Sequence, residues 1–338
     1  MAAVQPLPES TGQPEIGILE KNRTVLARAT RIVRAASGLA GVATDEDPGG
    51  LRLQLSPATR LLLCDGADLE LALEWQAHRF PHARIITWST GPVEPLIELA
   101  AAAPAVVSVL GWPGFQSMPR PWEIGLAVRQ ALHVETATLP IAALFAGSPT
   151  GVKYKPRSSD DRDATVAELT ALAERAGAVS RMASRIGEIA HELLMNAMYD
   201  APVNHYGEAR YAHDRRASIV LDEHEVPTAR MATDGNLIAV QVADPFGRLT
   251  RAHVMDGILR GQRAREASHD DAVIDDSHGG AGLGLWKIYT GAAVTLVDLT
   301  PAHTTSVTAV FDIDVGPREA RTMPPSLHVF ERSSLDVG

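Results

Sequence analysis

The sequence is poor in cysteine, lysine and uninterrupted apolar runs, and each shortage excludes something. Cys64 is the single cysteine among 338 residues. That rules out an internal disulfide framework and a multi-cysteine zinc site, and it fits a reducing, cytoplasmic setting. Positive charge is in deficit, with a formal net charge of -10, so nothing in the overall field favours nucleic acid or an acidic membrane as partner. The most apolar stretch, 93–112, carries Glu94, Pro95, Glu98 and Pro104, which a membrane span of about 20 residues rarely tolerates. The first 14 residues lack a basic segment followed by an apolar one and read as a flexible tail instead of a signal peptide. The four lysines are Lys21, Lys153, Lys155 and Lys287, so positions 22–152 contain none.

What is present suits two globular domains. The chain is 45% hydrophobic and 21% charged, enough apolar content to bury a core in each half. A Pro-, Gly- and Ser-rich stretch at 147–163 has linker composition, and 317–338 is punctuated in the same way and reads as a C-terminal tail. The expected layout is a domain over 15–135, a linker over 136–160 and a second domain over 161–316.

In the first part, apolar runs at Ile16–Leu19, Leu61–Cys64, Arg84–Trp88 and Val106–Leu110 alternate with helical patterns, including 93–102 and 122–132. Buried strands separated by helices predict a parallel α/β sheet. After the linker the order changes. Val166, Leu169, Leu172 and Ala173 mark one helix, and Ile186, Ile189, Ala190, Leu193, Leu194 and Ala197 mark a second. Strands are expected at 217–221, 237–242, 293–299 and 306–314, giving an α/β sandwich.

Three features of the second part carry chemistry. Glu188, Glu192 and Asn196 are spaced by four on the second helix, so they share a face. A carboxylate that can orient or deprotonate a nucleophile, one turn from a neutral oxygen ligand, suits a magnesium-nucleotide site. His191-Glu192 does not extend to a zinc motif, because Met195 stands where the second histidine is required. Next, the strand ending at Asp244 runs into Pro245-Phe246-Gly247, where a carboxylate in apolar surroundings could accept from a purine amine. Last, Gly279-Gly280-Ala281-Gly282-Leu283-Gly284-Leu285 precedes a helix, leaving backbone N–H groups free for an anion. No Gly-Lys-Ser/Thr occurs, and the glycines do not fit G-x-G-x-x-G after a first strand, so neither the Walker loop nor the dinucleotide fold applies.

In this order, His-Glu-Leu-Leu-Met-Asn-Ala at 191–197, Asp-Pro-Phe-Gly at 244–247 and the glycine run resemble the N, G1 and G2 boxes of the GHKL superfamily. That group includes histidine-kinase catalytic domains, anti-sigma-factor kinases, gyrase-type ATPases and Hsp90 chaperones. The resemblance spans 161–315 and implies a Bergerat-type sandwich binding ATP with Mg2+. It implies Asn196 as the Mg2+ ligand and Glu192 as general base. Asp244 would hold the adenine amine, and Gly247, Gly280, Gly282, Leu283 and Gly284 would follow the nucleotide. Thr308 falls where such domains place a threonine near adenine, and 250–277 would form a lid. The second box departs from Asp-x-Gly-x-Gly, since Phe246 and Arg248 stand at the glycine positions.

Over 15–135, Ile16–Glu20, Leu61–Asp65, Ile85–Thr90 and Met118–Trp122 resemble a response-regulator receiver domain, flavodoxin-like in fold. Asp65 falls at the phospho-acceptor position, Glu20 in the acidic pocket and Ser89 or Thr90 at the switch hydroxyl. Lys21 replaces the second acid, and the lysine-free span removes the usual neutralising lysine. The resemblance therefore implies a pseudo-receiver, with Lys21 expected to pair with Asp65. No phospho-acceptor histidine hairpin precedes the second domain, because the sequence after His133 does not fit one. The implied function is a cytoplasmic signalling ATPase or Ser/Thr-type protein kinase acting on a partner protein, with room for a homodimer. An ATP-gated interaction switch without catalysis, or a degenerate histidine kinase acting in trans, are the alternatives.

Overall fold

A computed structural model describes residues 15–38, 40–112, 119–133, 140–145, 147–267, 283–316, 319 and 322–332. The chain divides into two compact units, Met1–His133 and Val134–Gly338. Both are mixed α/β.

The first unit alternates strand and helix: β1 (Ile16–Leu19), α1 (Arg23–Ala36), β2 (Val42–Asp45), α2 (Pro48–Gln54), β3 (Leu61–Asp65), α3 (Leu69–His78), β4 (Arg84–Ser89), α4 (Glu94–Ala102), β5 (Val106–Gly111) and α5 (Pro121–Leu132). Its strands run β2-β1-β3-β4-β5, every ladder parallel. Strands buried on both faces need unbroken apolar runs, which is why Leu61–Cys64 and Val106–Leu110 were legible as strands. β2 lacks such a run and lies at the sheet edge, where only Ala43 is buried. The chain moves from β1 out to β2 and back to β3, so the carboxyl ends of β1 and β3 meet at the topological switch point. Glu20 and Asp65 stand there.

The second unit comprises β6 (Thr150–Tyr154), α6 (Ser159–Arg175), α7 (Ser180–Met195), β7 (Thr228–Thr233), β8 (Leu237–Asp244), α8 (Arg251–Ala267), α9 (Leu283–Gly291), β9 (Val294–Thr300), β10 (Thr304–Asp312) and β11 (Ser326–Glu331). Its strands run β11-β9-β10-β8-β7-β6. All are antiparallel except β11 against β9. Helix α7 packs on β8 and β10 and touches α6 and α9. It buries Ile186, Ile189, Ala190, Leu193 and Leu194, the stripe its 3.6-residue period announces.

Three expectations need correction. The stretch read as linker contains β6, an edge strand with exposed Thr150, Gly151 and Lys153, and edge strands of polar composition resemble loops. The Ser-Ser-Asp-Asp run closing it is a helix start: the Ser158 hydroxyl accepts from Asp161 N while the Asp161 carboxylate accepts from Ser158 N, a reciprocal capping box. The stretch read as a tail supplies β11, which buries Leu327, Val329 and Phe330. Conversely, 217–221 is not a strand; only Val220 makes a bridge, to Ser158. The Ala217 carbonyl accepts from the Tyr199 hydroxyl at 2.8 Å, and a carbonyl bound to a side chain is lost to a ladder. Among the described residues no helix is long and apolar enough to cross a membrane.

Candidate functional site

Helix α7 ends in an irregularity at the point where its polar edge matters most. Asn196–Asp200 forms a π-helical turn, with Ala201 N donating to Asn196 O at 3.0 Å. Such one-turn widenings recur at functional sites because they displace a side chain from its regular helical direction. Asn196 and Asp200 line a cavity of about 710 Å³, a volume suited to a small-molecule ligand. Val242, Asp244, Arg248, Gly284, Thr305 and Val307 also line it.

Asp244 sits at the carboxyl end of β8 and is 7% exposed. Its Oδ1 accepts from Phe246 N at 2.9 Å and Gly247 N at 3.3 Å. Burial pushes its pKa up to about 6, against the lowering effect of those two N–H groups. Thr305 lies directly opposite in the ladder and also favours the ionised form, yet its buried hydroxyl makes no hydrogen bond of ordinary geometry. A buried, unsatisfied hydroxyl beside a half-used carboxylate is open to a ligand.

Two residues assigned to the nucleotide have other work. Gly247 has φ +59°, and a Cβ there would lie 2.4 Å from Thr300 O and 2.5 Å from His303 N. Its glycine is required by the close approach of the β9–β10 turn, and it is absent from the cavity wall. Thr308 Oγ1 accepts from Gln241 Nε2 at 3.1 Å. Side chains alternate along a strand, so Thr308 faces away from the side on which Thr305 and Val307 line the cavity. The threonine near Asp244 is Thr305. The β8–β10 register reveals it, because Asp244 pairs with Thr305 and Gln241 with Thr308.

Gly284 joins the cavity to the polar residues spaced by four at the end of α7. A Cβ at Gly284 would meet Glu192 Oε2 at 2.8 Å and Asn196 Oδ1 at 3.6 Å, so glycine permits α9 to approach both. Leu283 opens α9, while Gly280 and Gly282 lie outside the described residues. Glu192 Oε1 accepts from Lys287 Nζ at 3.3 Å. Glu192 does not line the first cavity but a second, open groove with Thr170, Ser184, Glu188, His191 and Thr290. It therefore stands at the divide between two openings.

Of the expected lid, 251–267 forms α8, and 268–282 lies outside the described residues. Helix α8 buries Val254, Met255, Ile258 and Leu259. It packs on α9 so closely that a Cβ at Gly261 would strike Trp286. Its other face gives His253, Asp256, Arg260 and Arg263 to the cavity. The arginines, three residues apart, were not singled out from sequence; their spacing on one helical face was the available signal.

The Asn196 oxygen expected to hold Mg2+ is taken. Arg215 Nη2 donates to Asn196 Oδ1 at 2.9 Å and to Asp200 Oδ2 at 2.5 Å. Burial raises the Asp200 pKa, and the Arg215 guanidinium opposes that rise. With Asn196 and Asp200 held by Arg215 and Glu192 held by Lys287, these oxygens are engaged by cationic side chains and, so arranged, do not fit a divalent cation.

In the first unit the acids are closed off differently. Glu20, 4% exposed, accepts from Trp88 Nε1 at 2.8 Å through Oε2 and from Asn22 N at 2.8 Å through Oε1. Its pKa is raised by burial, those two bonds opposing. Asp65 Oδ1 accepts from Ala67 N at 2.9 Å. Lys21 pairs with Asp68, at 2.9 Å, instead of with Asp65 as expected. Asp68 lies in the 3-10 turn after β3, one turn beyond Asp65, and its position was not considered from sequence. Ser89 Oγ accepts from Gly91 N at 3.0 Å, which ties it to its own loop. Cys64 is fully buried and its thiol is pushed up to about 12 by burial, in keeping with core packing.

No family model matches the sequence, and no curated protein sequence matches it. Among solved structures, the chain is similar to the SiaB–SiaC complex from Pseudomonas aeruginosa. The match has 18% identity and a TM-score of 0.31, and it covers 48% of this chain and 88% of that chain. Similarity at that level assigns neither a family nor a function.

Proposed function

We propose that the second unit binds ATP in the cavity between α7, α8 and β8–β10, and that the protein is a signalling ATPase or protein kinase acting on a partner protein. The observation that carries this reading is the shared wall of Asp244, Asn196 and Gly284, three positions separated in sequence whose residue types suit adenine, polar contact and close phosphate approach. Asp244 keeps Oδ2 available for the exocyclic amine after Oδ1 is used by its own turn. We read the unit as a Bergerat-type sandwich, and the β2-β1-β3-β4-β5 order of the first unit as a flavodoxin-like pseudo-receiver.

In the catalytic form of this reading, a Ser or Thr hydroxyl of the partner enters by the groove at Glu192. Glu192 takes the hydroxyl proton as the oxygen bonds to the γ-phosphorus, and the bond to the β–γ bridging oxygen breaks, releasing ADP. Positioning and charge stabilisation supply most of the rate. A second reading, an ATP-gated interaction switch without chemistry, is favoured by one observation: Glu192 and Asn196 are already paired with Lys287 and Arg215.

Incubation with γ-labelled ATP, alone and with cell extract, separates the two. Label transfer or phosphate release that disappears in Glu192→Ala supports the enzyme. Binding with neither supports the switch, and absence of ATP binding sinks both.

A further inference from the structure

The atom a divalent cation would claim first is engaged by a guanidinium. Arg215 bridges Asn196 Oδ1 and Asp200 Oδ2 at 2.9 and 2.5 Å, and it is only partly exposed, at 21%. A hydrated Mg2+ demands near-ideal octahedral oxygen geometry and dehydrates reluctantly. To enter here it would have to break a two-acceptor, charge-assisted contact and strand a cation against the same wall.

The cavity wall meanwhile carries charge of both signs, with Asp200, Asp244 and Asp256 as its acids. Arg248, Arg260 and Arg263 all line the wall. Among the described residues no carboxylate pairs with any of the three. Arg260 spends its Nε on the Asp256 carbonyl at 3.3 Å, which leaves its terminal nitrogens free to act. Asp256, on the same helix, is the one acid of α8 in the wall. Guanidinium groups match phosphate oxygens in bidentate geometry and stay charged at every accessible pH.

We propose that arginine takes the place of the metal: Arg260 and Arg263 hold the polyphosphate of the nucleotide, and Arg215 occupies the cation position against Asn196 and Asp200, so that binding is independent of Mg2+. The inference rests on the reading of this cavity as a nucleotide site. It differs from that reading in predicting which cation the phosphates meet.

Calorimetric titration of the full chain with ATP, in Mg2+ and in EDTA, tests it. The wild type is expected to bind with dissociation constants within about threefold of each other. Arg260→Ala/Arg263→Ala, both exposed positions that leave the core untouched, loses about tenfold or more in both buffers, the scale of lost hydrogen bonds to a charged group. Arg215→Ala frees the two oxygens, so its binding becomes tighter in Mg2+ than in EDTA. Circular dichroism of each variant establishes that it is folded, and Arg215→Lys repeats the test should Arg215→Ala unfold. Wild-type binding that weakens tenfold in EDTA, with the double arginine variant unaffected, overturns this inference and leaves the nucleotide reading standing. No ATP binding in either buffer overturns the nucleotide reading and this inference with it.

Discussion

Each unit places carboxylates at the carboxyl ends of its strands, and the two treat them in opposite ways. In the first unit the buried acid Glu20 is consumed by the fold. Both Glu20 oxygens accept hydrogen bonds, from Trp88 and Asn22, and Lys21 crosses to Asp68. In the second unit Asp244 is just as buried but spends only one oxygen on its own turn, and it faces a cavity lined by Arg248, Arg260 and Arg263, which form no ion pair with a carboxylate among the described residues. A strand-end acid is thus a structural device or a recognition group according to whether nearby elements satisfy it. Burial raises the pKa of both, so perturbation alone does not tell them apart; an unspent oxygen beside an open volume does.

Asp244→Asn is expected to have the largest effect. Asparagine keeps an oxygen for the Phe246 and Gly247 N–H groups but turns a donor toward the adenine amine, so ATP affinity should fall about 100-fold by calorimetry. The same change should stabilise the free protein. A carboxyl whose folded pKa is raised binds more protons folded than unfolded, so its ionisation costs stability as pH rises from about 4 through about 6. The variant should gain about 1–3 kcal/mol over wild type at pH 8 and almost nothing at pH 4, read by chemical denaturation. Loss of stability at pH 8 would make Asp244 a structural acid like Glu20 and end the contrast.

Trp88→Phe probes the closed site and comes next. Trp88 is fully buried, and its loss leaves a void and an unsatisfied oxygen on Glu20, at about 2–4 kcal/mol. Burial already raises the Glu20 pKa, and the Trp88 N–H favours the ionised form, so the cost should grow as rising pH ionises the carboxylate. ATP binding by the second unit should not change; a change would mean that the two sites are not separable in this way.

Lys21→Ala should matter least. Lys21 has 63% of its side chain exposed, and such surface pairs contribute within about 0.5 kcal/mol. In the wild type, beryllium fluoride with Mg2+ should leave Asp65 unmodified and the melting temperature unchanged. A clear adduct at Asp65 would give the first unit a working acceptor and break the comparison from the other side.

The sequence was most legible where period and burial agree. The apolar run of β3, the stripe of α7 and the long strands β8–β10 are local patterns, and local patterns survive without knowledge of neighbours. Edge strands β2 and β6 were missed because a strand with few buried positions looks like a loop; β11, buried from Ser326 to Phe330, was missed because the punctuated stretch around it reads as a tail; and Ser158–Asp161 was missed because a helix cap and a linker share a composition. Of the candidate residues, Asn196, Asp244 and Gly284 meet in one cavity, whereas Gly247 and Thr308 owe their identities to packing and to Gln241.

From residue order alone came the alternation of elements, their division into two units and the three short motifs in which chemistry could reside. Tertiary structure alone decided which polar atoms are spent. Lys21 reaches Asp68 across 47 positions and Lys287 reaches Glu192 across 95. Which threonine stands beside Asp244 depends on a ladder between β8 and β10. Such pairings follow from side-chain geometry between elements far apart along the chain, where no spacing rule operates, and they determine whether a carboxylate is left free to bind.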